Sequence, residues 1–312
     1  MPHRDIIVLG GSAGSIPSLI NIVSAFPDNL PAAVFVIIHF RNREKSNLAH
    51  VLSHNSRLSA QDAVDGEKIK NGRIYVAVPD RHLFISEGHI HLTRGPKEGL
   101  HRPCINATFR SAAQTYRDRV IGVLCSGLLD DGASGLWEIV RHHGMAIVQD
   151  PAEAQFPSMP LSALADVSIT YTLKSAEIGP CLVQLVTSSE DLRMSEAKIG
   201  NHDSPEAFSG FTCPECRGPL YKLGTKPPEF QCRVGHRFPL ETLVEDSTST
   251  QERKMYEAIV SLEEGADMAE YAASQLGKAE HQELVNEAKQ LRRHAATIRQ
   301  LIEERQSSQI FQ

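Results

Sequence analysis

Three short segments of this chain carry side chains that could act together on an acyl bond. The first, Leu9-Gly10-Gly11-Ser12-Ala13-Gly14, fits G-x-S-x-G, a sharp strand-to-helix turn that exposes a serine hydroxyl. The start of the following helix lies beside that serine, so its free N–H groups could stabilise an anion. The second is Ile37-Ile38-His39-Phe40, a histidine at the end of an apolar run, where it could serve the serine as general base. The third is Cys125-Ser126-Gly127-Leu128-Leu129-Asp130-Asp131-Gly132. Its acidic pair could cap the next helix, or supply the carboxylate that orients the histidine ring. Gly127 and Gly132 give the loop freedom to bring a carboxylate and a backbone N–H towards the serine.

Taken alone, the first segment is also compatible with an ordinary Gly-rich turn. It is not a dinucleotide loop. Ser12 and Ser15 occupy positions where G-x-G-x-x-G needs glycine, and the second strand ends in His39 where a ribose-binding acid would stand. What unites the three segments is the kind of element each one follows. Ile6–Leu9, Ala33–Ile38 and Val120–Cys125 are continuous apolar, largely β-branched runs, as strands buried on both faces should be. A helix is expected over about 14–25 and another over about 133–143, closed by Gly144. Further strands are expected at Ile74–Val78, Ala146–Gln149 and Val167–Thr172, with a hairpin at Leu83–Ser86 and Ile90–Thr93 around Glu87-Gly88. Alternating strands and helices imply a doubly wound, mainly parallel α/β sheet with a β-hairpin insertion. In such sheets ligands bind beyond the carboxyl ends of the strands, and Ser12, His39 and Asp131 all fall at such ends. Their chain order, Ser-His-Asp, differs from the Ser-Asp-His order of α/β-hydrolases.

The expected organisation is a catalytic domain over 1–190, a Ser-, Glu- and Asp-rich linker over 191–210, a Cys-rich module over 211–245 and a helical tail over 246–312. In the module, Cys213-Pro214-Glu215-Cys216 and Cys232-Arg233-Val234-Gly235-His236 form a C-x2-C knuckle and a C-x3-H pair. Three thiolates and an imidazole suit a closed tetrahedral structural zinc site in a zinc-ribbon-like fold. A redox C-x-x-C would leave Cys232 and His236 unexplained. In the tail, Met255, Ile259, Leu262, Ala266, Ala269, Ala273 and Leu276 recur at steps of four and three. Leu284, Ala288, Leu291, Ala295, Ile298 and Ile302 repeat the pattern beyond Gly277 and Lys278. This is a helical hairpin whose seam either packs on itself or receives a signalling partner.

The formal net charge of -6 offers no basic field for nucleic acid. No apolar run is long enough to insert in a membrane, and the N-terminus lacks the features of a signal peptide. The expectation is a cytoplasmic protein.

The three reactive segments together resemble the catalytic domain of the chemotaxis protein-glutamate methylesterase family (CheB type). Further stretches fit its pattern: Asp65-Gly66-Glu67 through Gly72-Arg73-Ile74-Tyr75-Val76-Ala77, Arg102-Pro103 with Phe109-Arg110-Ser111-Ala112-Ala113, and Gln149-Asp150 with Met159-Pro160. The resemblance implies Ser12 as nucleophile, His39 as base, Asp131 as orienting acid, and the N–H groups of Ala13 and Leu128 as oxyanion hole. It also implies a methylated chemoreceptor-like protein as substrate, possible deamidation of glutamines and no catalytic cofactor. Some positions depart from the family pattern: Phe40-Arg41 for Met-Pro, Leu128-Leu129 for Met-Gly, Cys104 for serine, Asn106 for aspartate and Ser158 for glycine. Family members often carry an N-terminal receiver domain. Here the catalytic strand begins within a few residues of Met1, so control or partner choice is expected from the C-terminal region. Two other functions fit the residues: a non-catalytic signalling adaptor on the same fold, and a hydrolase of small esters.

Overall fold

The computed structural model describes residues 4–40, 46–188, 208–275 and 278–309. It divides into two compact units, Met1–Leu243 and Val244–Gln312. The first unit contains β1 (Ile6–Gly11), α1 (Ile16–Ser24), β2 (Ala33–Ile38), α2 (Leu48–His54), β3 (Ser59–Asp62), β4 (Arg73–Val76), β5 (His82–Ser86) and β6 (His89–Thr93). These are followed by α3 (Ile105–Tyr116), β7 (Val120–Leu124), α4 (Ala133–Arg141), β8 (Met145–Gln149), α5 (Ser158–Asp166), β9 (Tyr171–Leu173) and α6 (Ser175–Thr187).

A parallel sheet of order β3-β4-β2-β1-β7-β8-β9 forms the centre. Every residue of β1, β2, β7 and β8 is buried, because helices cover both faces and leave no position for a polar side chain. One face packs Phe35, Tyr75, Phe109, Leu136 and Ile139. The other packs Leu9, Leu19, Ile22, Val36 and Leu182. Truncating one such core leucine or isoleucine to alanine costs about 2–5 kcal/mol.

The chain builds the sheet outwards from β1 in one direction through β2 and β4, then returns to β1 and builds β7, β8 and β9 on its other side. The reversal falls between β1 and β7, where a doubly wound sheet opens its ligand crevice. The hairpin β5–β6 stands apart as its own two-stranded sheet, with Glu87 and Gly88 in its turn, both at positive φ. The sequence patterns did not indicate α2, β3, α5 or α6. They also indicated a strand over Val167–Thr172, of which only Tyr171 and Thr172 lie in β9. β1 runs on through Gly10 and Gly11 beyond its expected end at Leu9.

The same unit continues with a four-stranded antiparallel sheet, β10 (Phe208–Thr212), β11 (Pro219–Leu223), β12 (Glu229–Cys232) and β13 (Arg237–Pro239), and enters α7 (Leu240–Gln275). Its small core consists of Cys213, Leu220, Phe230, Cys232, Phe238 and Leu243. The second unit is the rest of α7 with α8 (Lys278–Gln309). Ile259 clusters with Ala295 and Ile302, and Ala266 and Ala269 with Ala288, so the seam packs on itself. Leu276 and Gly277 lie outside the described residues, as does most of the expected linker. Among the described residues no helix is long and apolar enough to cross a membrane.

Candidate active site

The sheet order decides which strand ends meet. β1 lies between β2 and β7, with Gly11 opposite Ile38 and Gly10 opposite Leu124. The residues just past these strands therefore emerge side by side at one rim, neighbouring strands being about 4.8 Å apart. Ser12 follows Gly11, and its N–H donates to Ser126 O at 2.9 Å, which ties the turn to the loop after β7. The Ser126 hydroxyl donates to Ala13 O at 2.8 Å and accepts the Phe156 N–H at 2.9 Å. Gly127 permits this crowding. A Cβ there would come within 1.9 Å of Met159 Sδ and 2.9 Å of Ser12 Cβ.

His39 Nδ1 faces Ser12 Oγ at 3.1 Å, and Nε2 faces Asp131 Oδ2 at 2.7 Å. The ring is thus used in the reverse sense to the archetypal serine protease triad, in which Nε2 meets the serine. Both His39 and Asp131 are nearly inaccessible, at 7% and 4% side-chain exposure, which keeps water from competing for this pair. Asp131 sits at the N-terminus of α3. Its Oδ2 accepts the Ile105 N–H at 2.8 Å, and its Oδ1 accepts the Asn106 N–H at 3.0 Å and the Cys104 thiol at 3.2 Å. Burial alone would push its carboxyl up, but bonding to His39 and these two N–H groups hold it well below the usual carboxylate range. Asp131 is therefore an anion that the fold has already stabilised. Gly132, at φ +98°, turns the chain from Asp131 into α4, a conformation costly for any side chain with a Cβ.

Asp130 points elsewhere: its carboxylate accepts the Thr242 hydroxyl at 2.8 Å and the Glu241 N–H at 3.0 Å. Of the two acidic residues, only Asp131 reaches His39. Among the described residues, the N–H groups of Ala13 and Leu128 donate to no protein acceptor. All five residues singled out in the sequence thus lie at one rim.

The sequence reading did not single out His101. Its ring stacks on His39 with centroids 3.7 Å apart and 12° between planes. Burial, then the adjacent His39, push its pKa down to about 4, so near neutrality it is an uncharged cover. Its only sequence signal was its place just before Arg102-Pro103.

The four predicted ligands of the Cys-rich module also converge. The ligand atoms of Cys213, Cys216, Cys232 and His236 all lie within 4.8 Å of one another. Cys216 Sγ and Cys232 Sγ are 3.6 Å apart, and His236 Nδ1 lies 3.4 Å from Cys232 Sγ and 3.7 Å from Cys213 Sγ. Bonds of about 2.3 Å to sulfur and 2.0 Å to nitrogen in a tetrahedron give edges of this length, so the cluster fits a metal ion.

A parallel α/β sheet with a serine, an imidazole and a buried carboxylate at its switch point is suited to acyl transfer. The chain belongs to the CheB methylesterase family, whose model matches residues 7–182. A relative in Leptospira interrogans, provisionally named a protein-glutamate methylesterase/protein-glutamine glutaminase, is 32% identical over 184 residues, covering 59% of this chain and 95% of that one. A protein-glutamate methylesterase/protein-glutamine glutaminase of Thermotoga maritima is 30% identical over 185 residues, covering 58% of this chain and 54% of its own length. The crystal structure of the Thermotoga maritima CheB methylesterase catalytic domain superposes with a TM-score of 0.56 at 31% identity, covering 58% of this chain and 98% of that domain. The family resemblance and the fold class drawn from the motifs are both shown by these matches.

Proposed function

We propose that Ser12, His39 and Asp131 carry the methylesterase reaction as nucleophile, general base and orienting acid. The observation that supports this most is the unbroken relay from Ser12 Oγ through His39 to Asp131. His39 Nδ1 takes the Ser12 proton as Oγ attacks the ester carbonyl of a methylated glutamate. The N–H groups of Ala13 and Leu128 receive the developing oxyanion, each worth about 3 kcal/mol. Asp131 accepts the Nε2–H and stabilises the imidazolium. The proton that Nδ1 took from Ser12 then passes to the leaving methoxide, which departs as methanol. Water, deprotonated by His39, hydrolyses the acyl-enzyme and regenerates Ser12. With a glutamine as substrate the same steps expel ammonia.

The substrate in this reading is a methylated chemoreceptor-like protein in the cytoplasm. Cys213, Cys216, Cys232 and His236 hold a structural zinc, whose four protein ligands leave no position for a substrate. The zinc contributes folding energy to a module too small to supply it from apolar burial. The outer face of α7, where Tyr256, Val260, Met268 and Tyr271 are exposed, is the surface offered to a signalling partner. The decisive assay is methanol release from methylated receptor fragments, comparing wild type with Ser12→Ala. Equal rates would remove the assignment of the nucleophile. Turnover of small esters alone would remove the receptor substrate.

A further inference from the structure

The Cys-rich module sends one carboxylate into the frame of the esterase site. Glu229, at the start of β12, is 1% exposed. Its Oε1 accepts the Ser134 hydroxyl at 2.6 Å and lies 3.5 Å from Asn106 Nδ2, while Oε2 lies 3.8 Å from Arg237 Nη2. Asn106 is equally buried. Its Oδ1 accepts two backbone N–H groups, from Gly132 at 2.9 Å and Gly135 at 2.7 Å. Those two bonds settle which way the amide points, because only an oxygen can accept them. The NH2 group therefore faces Glu229. Asn106 also lends its own N–H to Asp131, and Gly132 is the residue after Asp131. The amide of Asn106 thus pins the turn between Asp131 and α4, and Glu229 fixes the amide.

The residue type at 106 matters for the same reason. An aspartate at 106 would show the constraint. A carboxylate could accept from Gly132 and Gly135 just as well, but its second oxygen would face Glu229 with no proton to donate. Two buried carboxylates at that distance repel strongly. Asparagine at 106 and glutamate at 229 are complementary, and without Glu229 the buried NH2 group of Asn106 would lose its acceptor.

We propose that Glu229 is a positioning residue for the esterase site, acting through Asn106, so that the Cys3His module is a built-in part of the site's frame. The proposal rests on the reading of Ser12, His39 and Asp131 given above. Further bonds hold the module in the same register. Gly99 N–H donates to Arg237 O at 2.7 Å, two residues from the His101 cover, and Lys97 Nζ pairs with Glu215 at 2.9 Å.

The test is a charge swap in the full-length, metal-loaded protein, read by the rate at which a serine-directed fluorophosphonate labels Ser12, with the thermal midpoint as a second measurement. Asn106→Asp should label about tenfold more slowly than wild type, the size expected for a coupled buried pair. Asn106→Asp/Glu229→Gln restores one donor facing one acceptor, and should return to within about threefold of wild type. A single variant as fast as wild type, or a double variant no faster than the single, overturns the proposal. If Asn106→Asp does not fold, the double variant decides: folded and reactive protein supports the pairing, and a second failure refutes it. Wild type that is not labelled at Ser12 removes the triad reading and this inference with it. Labelled wild type with no rescue removes this inference alone.

Discussion

The central sheet and the Cys-rich module reach a fixed geometry by opposite means. The sheet brings Ser12, His39 and Asp131 together because β1, β2 and β7 are buried on both faces and locked in parallel register. In the module, two of the six core residues, Cys213 and Cys232, belong to the cluster that could hold a metal ion. Its apolar burial is too small to offset the entropy of ordering its loops. The site residues of the sheet are passengers on a core, whereas those of the module stand in for one.

The sharpest way to break this contrast is to remove the metal. Structural zinc in such small units supplies roughly 10–16 kcal/mol. Chelation should make the three module thiols reactive towards a thiol reagent, while the emission of Trp137, the single tryptophan and part of α4, stays where it was. A shift of Trp137 emission on chelation would show that the sheet depends on the metal as well.

Next comes Ser12→Ala, which should lower methanol release by at least about 10^3-fold and leave the thermal midpoint unchanged. A large fall in midpoint would mean that the elbow serine is part of the structure it was thought only to ride on. Gly127→Ala is intermediate, because it forces a methyl group against Met159 and Ser12. Overpacking of this kind costs about 1–3 kcal/mol, and fluorophosphonate labelling should slow by about 10-fold or more through displacement of Ser12. Labelling at the wild-type rate would show that the loop has slack.

The last effect is a pH dependence. The His101 ring has a folded pKa pushed down to about 4 from 6.5. The unfolded chain therefore takes up this proton below about pH 6.5, and the folded chain only near pH 4. Stability that is complete above pH 6.5 is lost as the pH falls through that window, by up to about 3 kcal/mol. His101→Phe keeps an aromatic cover without the proton, so its urea midpoint should fall less between pH 6.5 and 4 than that of wild type. Parallel curves would refute this.

Much of the sheet was legible in the sequence because buried parallel strands leave an unmistakable signal, as in Ala33–Ile38 and Val120–Leu124. β3 was missed because it is a short edge strand, Ser-Ala-Gln-Asp, with no buried residue to impose a pattern. Val167–Thr170 mimics a strand through its β-branched residues, yet Val167 still donates back to Ala163 as the end of a helix. Ser12, His39 and Asp131 could be named because each lies in the segment that follows a recognisable strand. His101 could not, since its stacking depends on the path of a loop. The contact between Glu229 and Asn106 spans more than a hundred residues, and no local pattern announces it.

The anchoring of Asp131 has an evolutionary consequence. The donors that hold its negative charge at the head of α3 belong largely to the main chain, at Ile105 and Asn106. A peptide N–H is present whatever side chain occupies the position, proline excepted. The side chain at 104, here cysteine, can thus change while the acid keeps its ionised form, whereas the side chain at 106 is held by its own bonds to Gly132, Gly135 and Glu229.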